Sequence, residues 1–419
     1  MVPAEVVANA KLAILDCLGV AVLAVSHELG QIILRLAQKE QWQGPCTIWG
    51  SAACAGARDA AFANASLAHA LDYDDGGHVT TYILAASLTL GERAEIAGRT
   101  LLEAFIAGRE VRMSLDPIFS RRFEGMGPGA RGWHANGILG PLAAACSAAK
   151  VLGLDLDQTV NAIGLAAGSC GALGRDGGTM AKPFRAGHAA ATGVLCALLA
   201  GEGCTADGEA LEGNYGLLSA LGPLDENILA SLAQNLGREY HSTRAKIKKY
   251  PAANATHAPV EAMIRLVTKR PASPADVERI DCDLKPYPLL RLAPKKGNEG
   301  RFSMAYCLAV ALTRRRLTPD DFTDEAARNA EVRKLIQCVR HNADSQSVAV
   351  VLKNGEIITE PLLPVHDLRE WSEVADKFNR CTSTILSTSQ RAAVLDQVAH
   401  LEQIPAVTSL ATSLRIRSS

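Results

Sequence analysis

From Pro3 to about Leu236 the apolar positions recur at helical spacing. Pro3 before Ala4-Glu5-Val6-Val7 suits a first helical turn, where proline has no needed N–H to lose. The stripe continues through Val7, Leu12, Leu15 and Leu18, and the same period returns over residues 61–71, 101–111, 140–152, 159–172 and 189–200. Short turns bearing Gly, Asp or Pro separate these segments. Beyond about Gly237 the period shortens. Residues 277–284 and 347–352 alternate apolar with polar, and Asn354-Gly355 divides the second run from 356–359, a strong hairpin signal. Helical stretches at 258–267 and 302–312 interleave with these strands. From His366 the helical spacing resumes through Leu414, and no internal repeat of fixed period is visible. The pattern predicts a mainly α fold. Residues 1–237 plus 367–419 form an all-helical domain, and 238–366 form a smaller inserted α+β lid domain. A cleft between two such domains is a usual place for a small-molecule site.

Composition narrows the function. The 419 residues carry 43 Lys+Arg against 44 Asp+Glu, a net charge of −1. That balance lacks the basic field which nucleic acid or an anionic bilayer requires. Hydrophobic residues make up 48% and aromatic ones only 5%, so the core is expected to be closely packed Ala, Leu and Val. No uninterrupted apolar run reaches the roughly 20 residues of a membrane span, and Val2-Pro3-Ala4-Glu5 after Met1 does not read as a signal peptide. Eleven cysteines without a CxxC argue against a disulfide framework or a zinc site. Cys146, Cys196 and Cys307 sit in Ala/Leu-rich helical patterns as small hydrophobes. A soluble, cytoplasmic protein is expected, or a mitochondrial one if its N-terminus is abbreviated.

No GxxxxGK[ST], strand-linked GxGxxG, HExxH or GxSxG is present, and Gly125-Met-Gly127-Pro-Gly129 has the wrong spacing for a phosphate loop. Four polar clusters in apolar surroundings remain. His69-Ala-Leu-Asp72-Tyr-Asp74-Asp75-Gly-Gly-His78 ends an apolar helix. It fits acid–base work by a carboxylate-oriented histidine, a divalent metal site, or a capped helix end with a solvated loop. Arg131-Gly-Trp133-His134-Ala-Asn136 precedes a long Ala-rich helix and fits an anion site or a local cap. Gly177-Gly-Thr179-Met-Ala-Lys182-Pro183-Phe-Arg185 leads into Gly187-His188, a tight turn entering a buried helix, which makes Lys182 a carboxylate binder or a surface lysine. Ile247-Lys248-Lys249-Tyr250-Pro251 is followed at His257 by a helix start, and Lys285-Pro286-Tyr287-Pro288 has a similar face without the downstream histidine.

In this order the clusters resemble the MmgE/PrpD family, whose members include 2-methylcitrate dehydratase, cis-aconitate decarboxylase and iminodisuccinate epimerase. The resemblance runs nearly end to end. It covers Leu15-Asp16-Cys-Leu-Gly19, Ala63-Asn64 through His69-Ala-Leu-Asp72-Tyr-Asp-Asp75, Gly132-Trp-His134, Gly178-Thr-Met-Ala-Lys182-Pro, Lys248-Lys-Tyr-Pro251 with His257, and Arg301-Phe302-Ser303 with Tyr306. It implies a helical domain with an α+β lid, a homodimer, and catalysis without cofactor or metal. The site residues carried over are Asp72, His78, His134, Lys182 and Lys248. His134 and His78 would act as base and acid, Asp72 would orient a histidine, and Lys182 and Lys248, with Arg185, would hold substrate carboxylates. The expected reaction is proton transfer next to a carboxylate of a di- or tricarboxylate, coupled to loss of water or CO2. An epimerase, or a silent member serving as a binding or assembly protein, is the alternative. The chain departs from the family pattern at the short 75–78 stretch, at Gly76 where Thr is common, and at Val79-Thr80-Thr81 after the histidine; these changes place an altered loop at 75–82. It also begins near the end of the usual first helix.

Overall fold

The computed structural model describes residues 2–120, 132–222, 230, 234–243, 246–283, 293–343 and 345–416. Arg131 and residues 125–129 and 285–288 lie outside them.

Helix α1 (Ala4–Ala24) starts after extended Pro3 and is apolar nearly all round, so it occupies the middle of the helical body. Around it stand α2 (Glu28–Lys39), α3 (Ala57–His69), α4 (Val79–Ala94) and α5 (Gly98–Ser114). The short α6 (Ala135–Ile138) leads into α7 (Gly140–Leu152), α8 (Leu156–Ala167) and the long α9 (Ala181–Gly201). Asp155 and Gln158 form a capping box at the start of α8. Small residues let these helices touch closely. A Cβ on Gly187 of α9 would collide with Ser66 Oγ and come within 2.7 Å of the Phe62 carbonyl in α3. One on Gly193 would come within 2.5 Å of Ala144 Cβ in α7.

Helix α4 replaces much of the loop expected at 75–82. Its β-branched start, Val79-Thr80-Thr81, is unremarkable as helix-forming sequence, but residues 79–92 are all buried and tertiary packing decides their conformation. A two-stranded hairpin, β1 (Cys46–Thr47) with β2 (Cys54–Ala55), was not expected from the pattern.

The second core gathers on a four-stranded sheet of order β4-β3-β5-β6, formed by β3 (Val277–Cys282), β4 (Val339–His341), β5 (Ser347–Leu352) and β6 (Ile357–Pro361). Strands β3 and β4 are parallel and the other pairs antiparallel. Gly355 at φ +86° closes the expected hairpin, and Asn354 Oδ1 accepts from Glu356 N at 2.9 Å. Helices α10 (His257–Lys269), α11 (Met304–Arg314) and α12 (Ala330–Cys338) cover one face, with Met263, Leu308 and Leu335 buried against Ile280 and Val350.

The final helices, α13 (Trp371–Thr382), α14 (Thr388–Ala399) and α15 (Thr408–Ser413), share the core of α1 through Phe378, Val394 and Leu410. Helices α1 and α9 are each long and apolar enough to cross a bilayer, although polar residues interrupt them. Of their apolar windows 72% and 61% are buried within the fold, which accounts for their composition as core helices.

Candidate active site

The turn after α3 is the first wall of the site. Arg301 Nη1 donates to Leu71 O at 2.7 Å and to Pro251 O at 3.0 Å, tying this turn to the sheet-bearing part. Asp72 (φ +50°) and His78 (φ +58°) both take the left-handed conformation, sparsely populated for residues with a Cβ. Asp75 stabilises the turn as a cap on α4. Its Oδ1 accepts from Val79 N at 2.9 Å and Gly77 N at 3.2 Å, and its Oδ2 from Thr80 N at 3.1 Å.

The second wall comes from residues 246–248, which join the turn through an antiparallel bridge of Ile247 to Asp75 and through Gly76 N donating to Lys246 O at 2.7 Å. This places Lys248 inside the site, only 2% exposed, while Lys249 turns outward to Glu261. The third wall is the first turn of α9, which supplies Lys182. The fourth is His134, held at the start of α6 by its N–H donating to Ala172 O at 3.1 Å.

These walls enclose a cavity of about 260 Å³ lined by Asp72, His78, His134, Asn136, Lys182 and Lys248, with Asn254 and Phe302 from the sheet-bearing part. Both ammonium groups meet one carboxylate. Lys182 Nζ bonds Asp72 Oδ1, and Lys248 Nζ donates to Asp72 Oδ2 and to the Asp72 carbonyl, each at 3.0 Å. Lys182 Nζ also lies 3.0 Å from His78 Nε2 and 5.1 Å from the centre of the Phe302 ring. The opposite nitrogen of His78, Nδ1, is 2.9 Å from both oxygens of Asp74. His69 Nδ1 reaches the same carboxylate at 3.5 Å.

Burial opposes ionisation of Asp72, but Lys182, Lys248 and His78 outweigh it and hold its carboxyl well below the usual range. Asp74 is likewise lowered, its burial overcome by His78 and His69. Burial lowers Lys182, against the pull of Asp72. Burial also lowers His134 well below the ordinary histidine value, reinforced by the positive charges of Arg185 and Lys182. His134 is therefore neutral at pH 7. Its Nδ1 accepts from Asn136 N at 3.2 Å, so the ring proton sits on Nε2.

His69, Asp74 and His78 form a donor group compact enough for a metal ion, with one ligand atom of each within 4.8 Å of the others. Both imidazole Nδ1 atoms already face Asp74 at hydrogen-bonding distance, so the group satisfies itself; an ion would have to displace those protons.

The profile of the MmgE/PrpD N-terminal domain matches residues 1–227, and that of the C-terminal domain matches residues 250–403. The chain belongs to the MmgE/PrpD family. Among its relatives, cis-aconitate decarboxylase of Mus musculus is 28% identical over 85% of this chain and 77% of its own length. Cis-aconitate decarboxylases of Homo sapiens and Aspergillus terreus are each 25% identical over 98% of this chain and about nine-tenths of their own.

Five of the six site residues expected for an MmgE/PrpD chain line one cavity: Asp72, His78, His134, Lys182 and Lys248. Arg185 stands outside the lining. Its Nη1 donates to Leu173 O at 2.9 Å and its Nε lies 3.5 Å from Asp176. Because Leu173 bridges Trp133, Arg185 braces the segment that carries His134. His257 begins α10 as expected, but its Nε2 turns to Ala252 O at 3.1 Å. The residue that sequence reasoning missed is Asp74, the carboxylate in direct contact with His78 Nδ1. The sequence placed it in the 69–78 cluster beside Asp72 and Asp75 with nothing to single it out.

Proposed function

We propose that this MmgE/PrpD protein is a cofactor-independent carboxylate lyase acting on a di- or tricarboxylate of the cis-aconitate type, with release of CO2. What carries this reading is the convergence of Lys182 and Lys248 on Asp72 beside His78 and His134 in a cavity of about 260 Å³, a size suited to a small polyanion. Lys182 faces Asp72 and His78 Nε2, and Lys248 donates twice to Asp72, so each ammonium keeps a third N–H for a substrate carboxylate. The decarboxylase relatives support the choice of reaction.

In the proposed reaction the C–C bond to the departing carboxylate breaks and its electron pair passes into the conjugated double bond. Negative charge builds on the remaining carboxylate, where the two ammonium groups stabilise it. One proton must then be delivered to carbon. His134 fits as donor once it has taken up a solvent proton: the imidazolium gives that proton to carbon and returns to the neutral ring. His78 fits as acceptor: with Nδ1–H held by Asp74, its Nε2 lone pair receives an N–H of Lys182 at 3.0 Å and takes a proton once substrate draws that ammonium away. Hydrogen bonding thus favours the reverse of the expected allocation of base and acid. The same pair would serve dehydration, with His78 removing a proton next to a carboxylate and His134 protonating the leaving hydroxyl.

Product NMR in D2O with cis-aconitate, 2-methylcitrate and iminodisuccinate tests the reading. Turnover of cis-aconitate with one solvent deuterium bound to product carbon is expected, unchanged by a chelator and abolished in His134→Ala and Lys182→Ala. Inertness toward all three substrates, or epimerisation alone, would overturn it.

A further inference from the structure

Two buried charges stand outside the cavity lining, in contact with the segments that form it, and the proposed chemistry uses neither. Asp16 stands in the middle of α1, and Lys377 belongs to α13, far along the chain; their side chains are each 1% exposed and pair at 2.6 Å. An ammonium group has three N–H donors. Lys377 donates to Tyr73 O at 2.6 Å and Lys248 O at 2.9 Å, its ammonium forms an ion pair with Asp16 Oδ1, and the charge sits 3.8 Å from the Tyr73 ring centre.

The choice of acceptors is informative. Tyr73 follows Asp72, the residue held at positive φ, and Lys248 supplies the second cavity ammonium. One cation therefore joins the main chains on which Asp72 and Lys248 are mounted, from outside the cavity lining. The Asp75–Ile247 bridge joins the same two segments further along. Stability alone gives little reason for such an arrangement, because a buried ion pair is often no more stabilising than apolar side chains of the same volume. Register between Asp72 and Lys248 is what an apolar pair would not supply.

We propose that Lys377, anchored by Asp16, is a positioning residue of the active site: it fixes the Asp72 turn against the Lys248 segment so that both cavity lysines meet one carboxylate. The catalytic part of this inference rests on the lyase reading above; the mechanical part does not.

The test uses the full chain with Lys377→Met and Asp16→Asn, read by steady-state kinetics on cis-aconitate and by amide hydrogen exchange. In folded Lys377→Met, kcat is expected to fall at least tenfold while KM stays within threefold. Exchange at residues 72–78 and 246–249 should rise at least tenfold, with that of β3 and β5 unchanged. Asp16→Asn is an isosteric change that keeps the ammonium and both carbonyl acceptors. It should lower kcat at least threefold at the same KM, and it decides the question if Lys377→Met does not fold. Wild-type kcat in folded Lys377→Met or in Asp16→Asn, activity loss that merely follows the folded fraction, or unaltered local exchange would overturn the proposal. If the wild type leaves cis-aconitate untouched but exchange responds as stated, the lyase reading fails and the positioning role stands.

Discussion

His78 contacts Asp74 through Nδ1 and the cavity through Nε2, so the tautomer that suits a base is set by a side chain outside the cavity lining. Replacing Asp74 with Asn offers the ring a donor as well as an acceptor and so admits the wrong tautomer. Asp74→Asn should lower kcat about a hundredfold or more with little change in KM, measured by steady-state kinetics. A second residue-scale consequence concerns Asp16. Burial raises its carboxyl from 3.8 to about 6, despite the opposing pull of Lys377. The native state thus keeps a proton that the unfolded chain releases, and stability falls as pH rises from 3.8 to about 6, then levels off. Denaturant titrations across that window should show the slope in the wild type and lose it in Asp16→Asn. Asp72, His78, His134, Lys182 and Lys248 were singled out by the ordered resemblance to the MmgE/PrpD family, because the local pattern left each with an alternative as a cap or a solvated group. Asp74 was hidden by its neighbours: three aspartates within four residues offer no local way to tell which one meets a histidine ring. Lys377 lacked even that signal, because in a helix with a polar face a lysine reads as solvated.

At the scale of elements, local chemistry explains what the pattern predicted and non-local packing explains what it did not. The β5–β6 hairpin follows from Asn354-Gly355, and α7 spans the expected residues 140–152. Strand β4 is a three-residue edge that exists only by pairing in parallel with β3, a partner that no local pattern could indicate. Helix α4 needed the core around it, and its start depends on Asp75 rather than on helix propensity. Close approach of helices is the element-scale feature most open to test. Gly187 lets α9 lie against α3, and α9 carries Lys182 one and a half turns earlier. Gly187→Ala should force the helices apart at a cost of about 1–3 kcal/mol, seen as a lower melting temperature. Because the shift moves Lys182 relative to Asp72, kcat should fall as well. The control Gly168→Ala, where only the Leu165 carbonyl lies within 4 Å at 3.7 Å, should leave both nearly unchanged.

For the whole molecule, the two ends of the chain share one core. Gly19 of α1 faces Phe378 of α13, where an added Cβ would meet Phe378 Cδ2 at 3.0 Å, and Gly50 N donates to Leu414 O at 2.8 Å. A chain cut before Trp371 would expose one side of α1 and strand Asp16 without Lys377. Such a truncation should give mostly insoluble protein, and its soluble fraction should bind a hydrophobic dye that the intact chain does not. The same feature bears on synthesis. Helix α1 is made well before its partner Phe378, which follows about 360 residues later. At roughly 5–20 residues per second, the ribosome needs something like twenty to seventy seconds to deliver it. For that interval an apolar helix long enough to cross a bilayer is without its final cover, so the nascent chain has a built-in demand for chaperone protection that the finished protein no longer shows.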